Sequence, residues 1–170
     1  MTEKIEKRKV WFEYLQVIIV TLIVTYGILY FVQISRVYGI SMLPTYHEGN
    51  IVLVDKVFYK HSEPKRNDII VVDYQDINLK ETSLIKRVIG ISGDHIEITD
   101  NKLYLNGKLL EEDYIKDAMK NAEDMVVDIP EGKVFVMGDN RNNSLDSRKL
   151  GYFDFEEDVV GKVFFTVPLS

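Results

Sequence analysis

Two patterns of hydrophobic and polar positions divide the chain. From Tyr14 to Ser35 no charged residue interrupts a run rich in Val, Ile, Leu and Tyr, with Glu13 before it and Arg36 after it. Twenty-two helical residues reach about 33 Å, enough to cross the hydrocarbon core of a bilayer. Residues 14–35 therefore predict a single N-terminal transmembrane helix. A cleavable secretory signal has a shorter apolar core and ends on small residues, whereas this run ends in Val32-Gln33-Ile34-Ser35-Arg36. The other reading, a buried core helix, fits poorly because helices apolar all round are uncommon in small domains. Lys4, Lys7, Arg8 and Lys9 precede the run. By the positive-inside rule they keep residues 1–13 cytoplasmic and leave residues 36–170 outside. Trp11, Phe12, Tyr14, Tyr30 and Phe31 sit where interfacial aromatics tend to sit.

Past Arg36 the period changes to that of strands. Short runs of β-branched and aromatic residues recur at Val37 to Ile40, Asn50 to Asp55, Asp68 to Tyr74, Leu84 to Ile91, His95 to Thr99, Lys102 to Leu105, Val134 to Met137 and Val160 to Val167. Turn signals separate them, among them Ser92-Gly93-Asp94, Asn106-Gly107 and Pro130-Glu131-Gly132. Asn-Gly favours a tight hairpin turn with positive φ. The pattern predicts a mainly β domain, a barrel or sandwich, over residues 36–170. A less regular stretch at about 108–130 interrupts it. Its acidic part, Glu111 to Asp128, reads as a solvated excursion with a short helix around Tyr114 to Asn121.

Composition adds exclusions. The chain has 170 residues, 46% hydrophobic and 28% charged, which suits one folded domain plus an extra element. A net charge of -6 argues against a nucleic-acid partner. With no cysteine, disulfides, thiolate metal sites and a cysteine nucleophile are excluded. His47, His61 and His95 have no metal-ligand spacing, so no metal site is expected.

Three segments carry candidate chemistry. In Gly39-Ile40-Ser41-Met42-Leu43-Pro44-Thr45 a serine follows a short strand and precedes a proline turn. Alone this is a commonplace arrangement. In Leu84-Ile85-Lys86-Arg87-Val88-Ile89-Gly90, alternation puts Leu84, Lys86 and Val88 on one face and Arg87 on the other. Burial lowers the pKa of a lysine, and a neutral lysine can take a proton from a serine hydroxyl. The simpler alternative is a lysine that snorkels to water. The third segment, Gly138 to Arg148, is dense in side chains that bond one another and the backbone. Alone it reads as a surface loop.

As a set the three resemble the nucleophile box, the lysine box with its following Gly93-Asp94, and the third conserved box of the bacterial type I signal peptidases, in a compact Gram-positive-like form. The anchor ahead of the first box is also their arrangement. The resemblance spans essentially the whole chain. It implies Ser41 as nucleophile, Lys86 as general base, Ser144 as the hydroxyl that orients the Lys86 amine, and Asp146 and Arg148 as a supporting ion pair, with Asn143 beside them. The Ser41 backbone N–H would donate to the oxyanion. Some members add a second donor from a serine hydroxyl two residues earlier, where this chain has Gly39. The variable position Asn142 carries no role.

A substrate strand is expected along Val37, Tyr38, Gly39 and Ile40 and the strand to Lys86, with Val37, Met42, Leu84 and Ile85 lining shallow pockets for small residues at the first and third positions before the cut. Met42, Leu43 and Tyr46, in a turn, are expected to reach the lipid interface. Implied partners are secretory preproteins and the lipid bilayer, with the secretion translocon as a further candidate, and no cofactor. Clients are those of general secretion or a dedicated one such as pilin. A self-cleaving SOS-type repressor needs a DNA-binding domain where this chain has its apolar run. A non-catalytic assembly factor for surface fibres would be expected to lack the serine or the lysine.

Overall fold

The computed structural model describes residues 2–76 and 79–168, and side chains within 10–74 and 83–168. The side chains of Lys4, Lys7, Arg8 and Lys9 lie outside the described residues, as do Met1, Ile77, Asn78, Leu169 and Ser170.

In chain order, α1 (Thr2–Phe31) runs without a break into β1 (Val32–Arg36), followed by β2 (Ile51–Asp55), β3 (Ile69–Asp76), β4 (Leu79–Ile91), β5 (His95–Thr99), β6 (Lys102–Leu105), β7 (Lys108–Leu109), β8 (Met125–Asp128), β9 (Lys133–Met137), α2 (Ser147–Leu150), β10 (Phe153–Asp154) and β11 (Val159–Val167). The chain is mainly β, as its pattern predicts. One antiparallel sheet has the order β1-β2-β11-β3-β4-β9-β10 and a smaller one the order β7-β6-β5-β8.

The apolar stretch of α1, Val10–Phe31, is 22 residues long and 0% buried. That disposes of the core-helix reading, because a core helix must bury its apolar face. The helix ends earlier than the uncharged run suggests. Residues 32–35, expected as helix, belong instead to β1, whose Val32–Arg36 pair with Asp55–Ile51 of β2. Lack of charge cannot distinguish an apolar edge strand from the end of a membrane helix. At the junction the Phe31 ring stacks on Phe58 at 5.2 Å, and Lys56 N–H donates to the Phe31 carbonyl at 3.1 Å.

The predicted strands at His95 to Thr99 and Lys102 to Leu105 stand as β5 and β6 and the others with shifted ends, but Val37 to Ile40 is not a strand. Val37 bonds briefly to Asn50 and Gly49, after which Gly39 adopts φ +78 and turns the chain away. Only glycine takes that left-handed conformation without cost. The expected helix at Tyr114 to Asn121 is also absent; that stretch is turns and irregular backbone, and the last part of the excursion is β8.

β3 is buried on both faces. Ile70 and Val72 join Val88, Val134 and Val136 in one cluster, while Val71 joins Val37, Val52, Val54 and Val163 in another. A third cluster, including Ile89, Ile96, Leu103, Phe135 and Met137, fills the space below the smaller sheet. Pairing of β4 with β9 shifts register between Val88 and Gly90. At this β-bulge Ile89 joins the third cluster, while Val88 before it and Ile91 after it pack with the first. Where β11 crosses β2, Gly161 leaves no room for a side chain: an added Cβ would stand 2.1 Å from the Asp55 carbonyl oxygen. Since backbone cannot swing aside, Gly161→Ala is expected to lower stability by about 1–3 kcal/mol, read as a reduced thermal midpoint of the β circular dichroism signal in detergent.

Candidate active site

Ser41 and Lys86 are 45 residues apart in the chain and meet in the fold: Lys86 Nζ donates to Ser41 Oγ at 2.9 Å and to the Ile85 carbonyl at 2.9 Å. β4 is the reason Lys86 is buried. Its neighbours at alternate positions, Leu84 and Val88, pack with the first core, and Lys86 itself is 2% exposed. Burial lowers the Lys86 amine to about 8, against the opposing pull of the Asp146 and Asp139 charges. The turn that carries Ser41 closes through Leu43 N–H to the Ile40 carbonyl and Tyr46 N–H to the Met42 carbonyl. It sends Met42 inward, to 1% exposure. Met42 therefore cannot reach a lipid surface, and the expectation that it does so is corrected. Among the described residues no acceptor takes the Ser41 N–H.

The loop from Gly138 to Arg148 braces this turn from behind. Asn140 N–H donates to the Ser41 carbonyl at 2.9 Å and Asn140 Nδ2 to the Ile40 carbonyl at 3.0 Å. Asp139 accepts two bonds from Arg87, at 2.8 and 2.7 Å, and one from the Thr45 hydroxyl. Arg148 makes the expected pair with Asp146, through Nε and Nη2 at 2.9 Å each, and Gly138 N–H donates to the same carboxylate at 3.0 Å. Burial pushes the Asp146 carboxyl up, but Arg148, the Ser144 hydroxyl and the Gly138 N–H outweigh it and hold it below the usual carboxylate range.

Ser144 departs from its expected role. Its Oγ is buried, lies toward the Asp146 carboxylate and, among the described residues, makes no well-aligned hydrogen bond, so the bond to Lys86 is not made. The hydroxyl packs against Gly138 instead, where an added Cβ would stand 2.3 Å from Ser144 Oγ and 2.5 Å from the Ser41 carbonyl oxygen. Asn143 is exposed and contributes a turn bond, its N–H donating to the Asn140 carbonyl at 2.9 Å. Asn142, dismissed as variable, ties the loop outward: its Nδ2 donates to the Ala118 carbonyl and its Oδ1 accepts from Lys120 N–H.

A cleft of about 370 Å³ opens beside the pair. Val37, Tyr38, Met42, Leu84 and Ile85 line it as expected, while Gly39 and Ile40 are not among its lining residues. Gln33, Ser35 and Arg36 of β1 and Val71 and Ser83 complete it. Gln33 and Ser35 were hidden by their assignment to the membrane run. The cleft is a seam, for the large sheet curls until β1 faces β4. β9 pairs with β4 only from Arg87 onward, which leaves the preceding part of β4 unpaired on that side.

The acidic excursion is largely exposed, as expected, but sequence reasoning missed the few side chains in it that pack inward, Glu112, Tyr114 and Met119. Glu112 accepts two bonds from the fully buried Arg141, at 2.6 and 2.5 Å. The Tyr114 hydroxyl donates to Glu112 at 2.7 Å, and its ring lies 4.0 Å from the Arg87 guanidinium. Burial and the Glu112 charge push the Tyr114 phenol upward, so it remains a donor. An acid two residues before a tyrosine was the available signal, but nothing in its spacing pointed to arginines elsewhere in the chain.

The low Lys86 value carries a stability cost. Below about pH 8 the amine is protonated in both folded and unfolded chains, and the fold bears the whole penalty, on the order of 3 kcal/mol. Between about 8 and the ordinary 10.5 the folded chain has released the proton and the penalty fades. Lys86→Met should therefore raise the thermal midpoint at pH 7, and the difference from the parent should shrink by pH 10.

Comparison with known proteins adds the following. The family described as signal peptidase, peptidase S26, matches residues 11–168. Signal peptidase I of Bacillus licheniformis is 38% identical over 167 residues, covering 91% of this chain and 88% of that protein. Signal peptidase I T of Bacillus subtilis (strain 168) is 35% identical, covering 96% and 91%. A crystal structure of a signal peptidase I from Enterococcus faecalis V583 is similar at 33% identity with a TM-score of 0.49, covering 61% of this chain and 98% of that one.

Proposed function

The chain belongs to the signal peptidase family, peptidase S26, and is a serine peptidase; from that premise we propose that Ser41 is its nucleophile, Lys86 its general base, and secretory preproteins its substrates. The observation that carries the reading is the 2.9 Å approach of a buried amine to a serine hydroxyl. The neutral Lys86 amine takes the Ser41 proton as Oγ attacks the scissile carbonyl. The free Ser41 N–H donates to the oxyanion, the kind of contact that often contributes most to the rate. Lys86 returns the proton to the leaving amine, the mature protein departs, and a water deprotonated by Lys86 hydrolyses the ester. At Gly39 no side chain adds a second donor.

The signal peptide enters the seam as an extended strand. Its backbone meets the unpaired part of β4, and side chains of small size fill the apolar floor made by Val37, Met42, Val71, Leu84 and Ile85. This favours small residues at the first and third positions before the cut. α1 anchors the enzyme with its N-terminus in the cytoplasm and residues 36–170 outside. The exposed Ile34, Phe58, Phe164 and Phe165 are the side chains suited to meet lipid.

Detergent-solubilised enzyme should cut a purified preprotein after a small residue, and Ser41→Ala and Lys86→Ala should each lose roughly a thousandfold or more. Retained cleavage in either variant, measured by gel shift, removes that residue from the mechanism. A folded wild type that leaves ordinary preproteins intact excludes general secretion and turns the search to a dedicated client such as pilin. In the pH profile, kcat/KM should climb about tenfold per pH unit below the Lys86 value of about 8 and level off above it. A flat profile excludes a lysine base.

A further inference from the structure

The segment between β7 and β8, residues 110–124, holds no helix or strand and contributes nothing to the cleft lining. It nevertheless crosses the loop that braces Ser41 and grips it at several points. Glu112 holds Arg141, and the Tyr114 ring covers the Arg87 guanidinium at 4.0 Å with that of Arg141 at 5.9 Å. Lys116 N–H donates to the Asp139 carbonyl at 3.0 Å, and Asn142 clasps Ala118 and Lys120.

The two gripped arginines converge on the nucleophile. Arg87 fixes Asp139, which takes the Thr45 hydroxyl of the Ser41 turn. Arg141 holds the Gly138 carbonyl through Nε at 3.1 Å. Between Asp139 and Arg141 in the chain stands Asn140, whose two donors fix the Ser41 and Ile40 carbonyls. A strap with no contact to substrate thus determines where the Ser41 backbone stands. Displacements of about 1 Å in such constellations cost on the order of a hundredfold in rate.

We infer that Glu112 and Tyr114 are positioning residues for the hydrolytic reaction, acting through Arg141 and Arg87 to hold Ser41 in register with Lys86. The inference rests on the reading of Ser41 and Lys86 as nucleophile and base. It separates the two halves of each side chain. The Tyr114 ring face is what Arg87 uses, whereas the hydroxyl serves only Glu112.

The test uses the full chain in detergent with a preprotein substrate, comparing Tyr114→Leu, Tyr114→Phe and Glu112→Gln. Tyr114→Leu and Glu112→Gln should lose about ten- to a hundredfold in kcat with KM within about twofold, and Tyr114→Phe should recover to within about threefold of wild type. The pH profile supplies a readout that a loss of folded protein would not move. The carboxylates felt by Lys86 are Asp146, paired with Arg148, and Asp139, paired with Arg87. Loosening Arg87 leaves the Asp139 charge less compensated, so in Tyr114→Leu the kcat/KM midpoint should move to higher pH. Circular dichroism melting establishes that each variant is folded. Wild-type kcat and midpoint in folded Tyr114→Leu and Glu112→Gln would overturn the inference alone, with Ser41→Ala still inactive. Losses that match only the missing folded fraction, with an unmoved midpoint, would overturn it as well. A folded wild type that cuts no preprotein, or a Ser41→Ala that cuts like wild type, overturns the reading beneath it and the inference together.

Discussion

Taking an amine out of water disfavours its charged form, and the site is organised around one such amine. Lys86 projects from a strand whose alternate neighbours are core residues, so its position cannot relax toward solvent without disturbing the packing of Leu84 and Val88. What remains is a weakly held proton beside a hydroxyl. The burial that makes Lys86 useful also opposes folding at neutral pH, a conflict often found at functional sites.

The surroundings settle that conflict in favour of a neutral amine, because the carboxylates about the site are each paired with an arginine. Asp146 faces Arg148, Asp139 faces Arg87 and Glu112 faces Arg141, each through two charge-assisted bonds. An unpaired carboxylate at this distance would draw the Lys86 proton back on. Buried ion pairs of this kind contribute little net stability. Their effect here is geometric, since planar guanidinium groups pin the Gly138 to Arg148 loop at Asp139, Arg141 and Asp146. The Ser144 hydroxyl, packed on Gly138 and lying toward Asp146, makes no well-aligned bond among the described residues.

Much of this was legible in the sequence, because the boxes that carry it are local. Ser41, Lys86 and the Asp146 pair with Arg148 lie in short segments whose residue types announce their chemistry, and alternation along β4 was enough to separate Lys86 from Arg87. Two kinds of information were not local. The end of α1 was obscured because Val32 to Ser35 are uncharged both as helix and as edge strand, and only pairing with β2 distinguishes the two. The role of residues 110–124 was obscured because acidic and irregular segments are usually solvated, and nothing in Glu112 or Tyr114 reveals that Arg141 and Arg87 will be folded against them. Asn142 was misjudged for the same reason, since its amide is satisfied by backbone more than twenty residues away.

The uninterrupted passage from α1 into β1 has a consequence for scale. No residue separates the two elements, and Gln33, Ser35 and Arg36 at once form one wall of the cleft. Five strand residues extend roughly 17 Å. With α1 in the bilayer, the cleft wall formed by β1 stands no farther than about that length from the end of the membrane helix. A signal peptide whose own helix is embedded in the same bilayer can offer only the few residues that reach the cleft. On the proposed reading, the place of the cut depends on distance from the lipid as well as on the side chains the cleft admits.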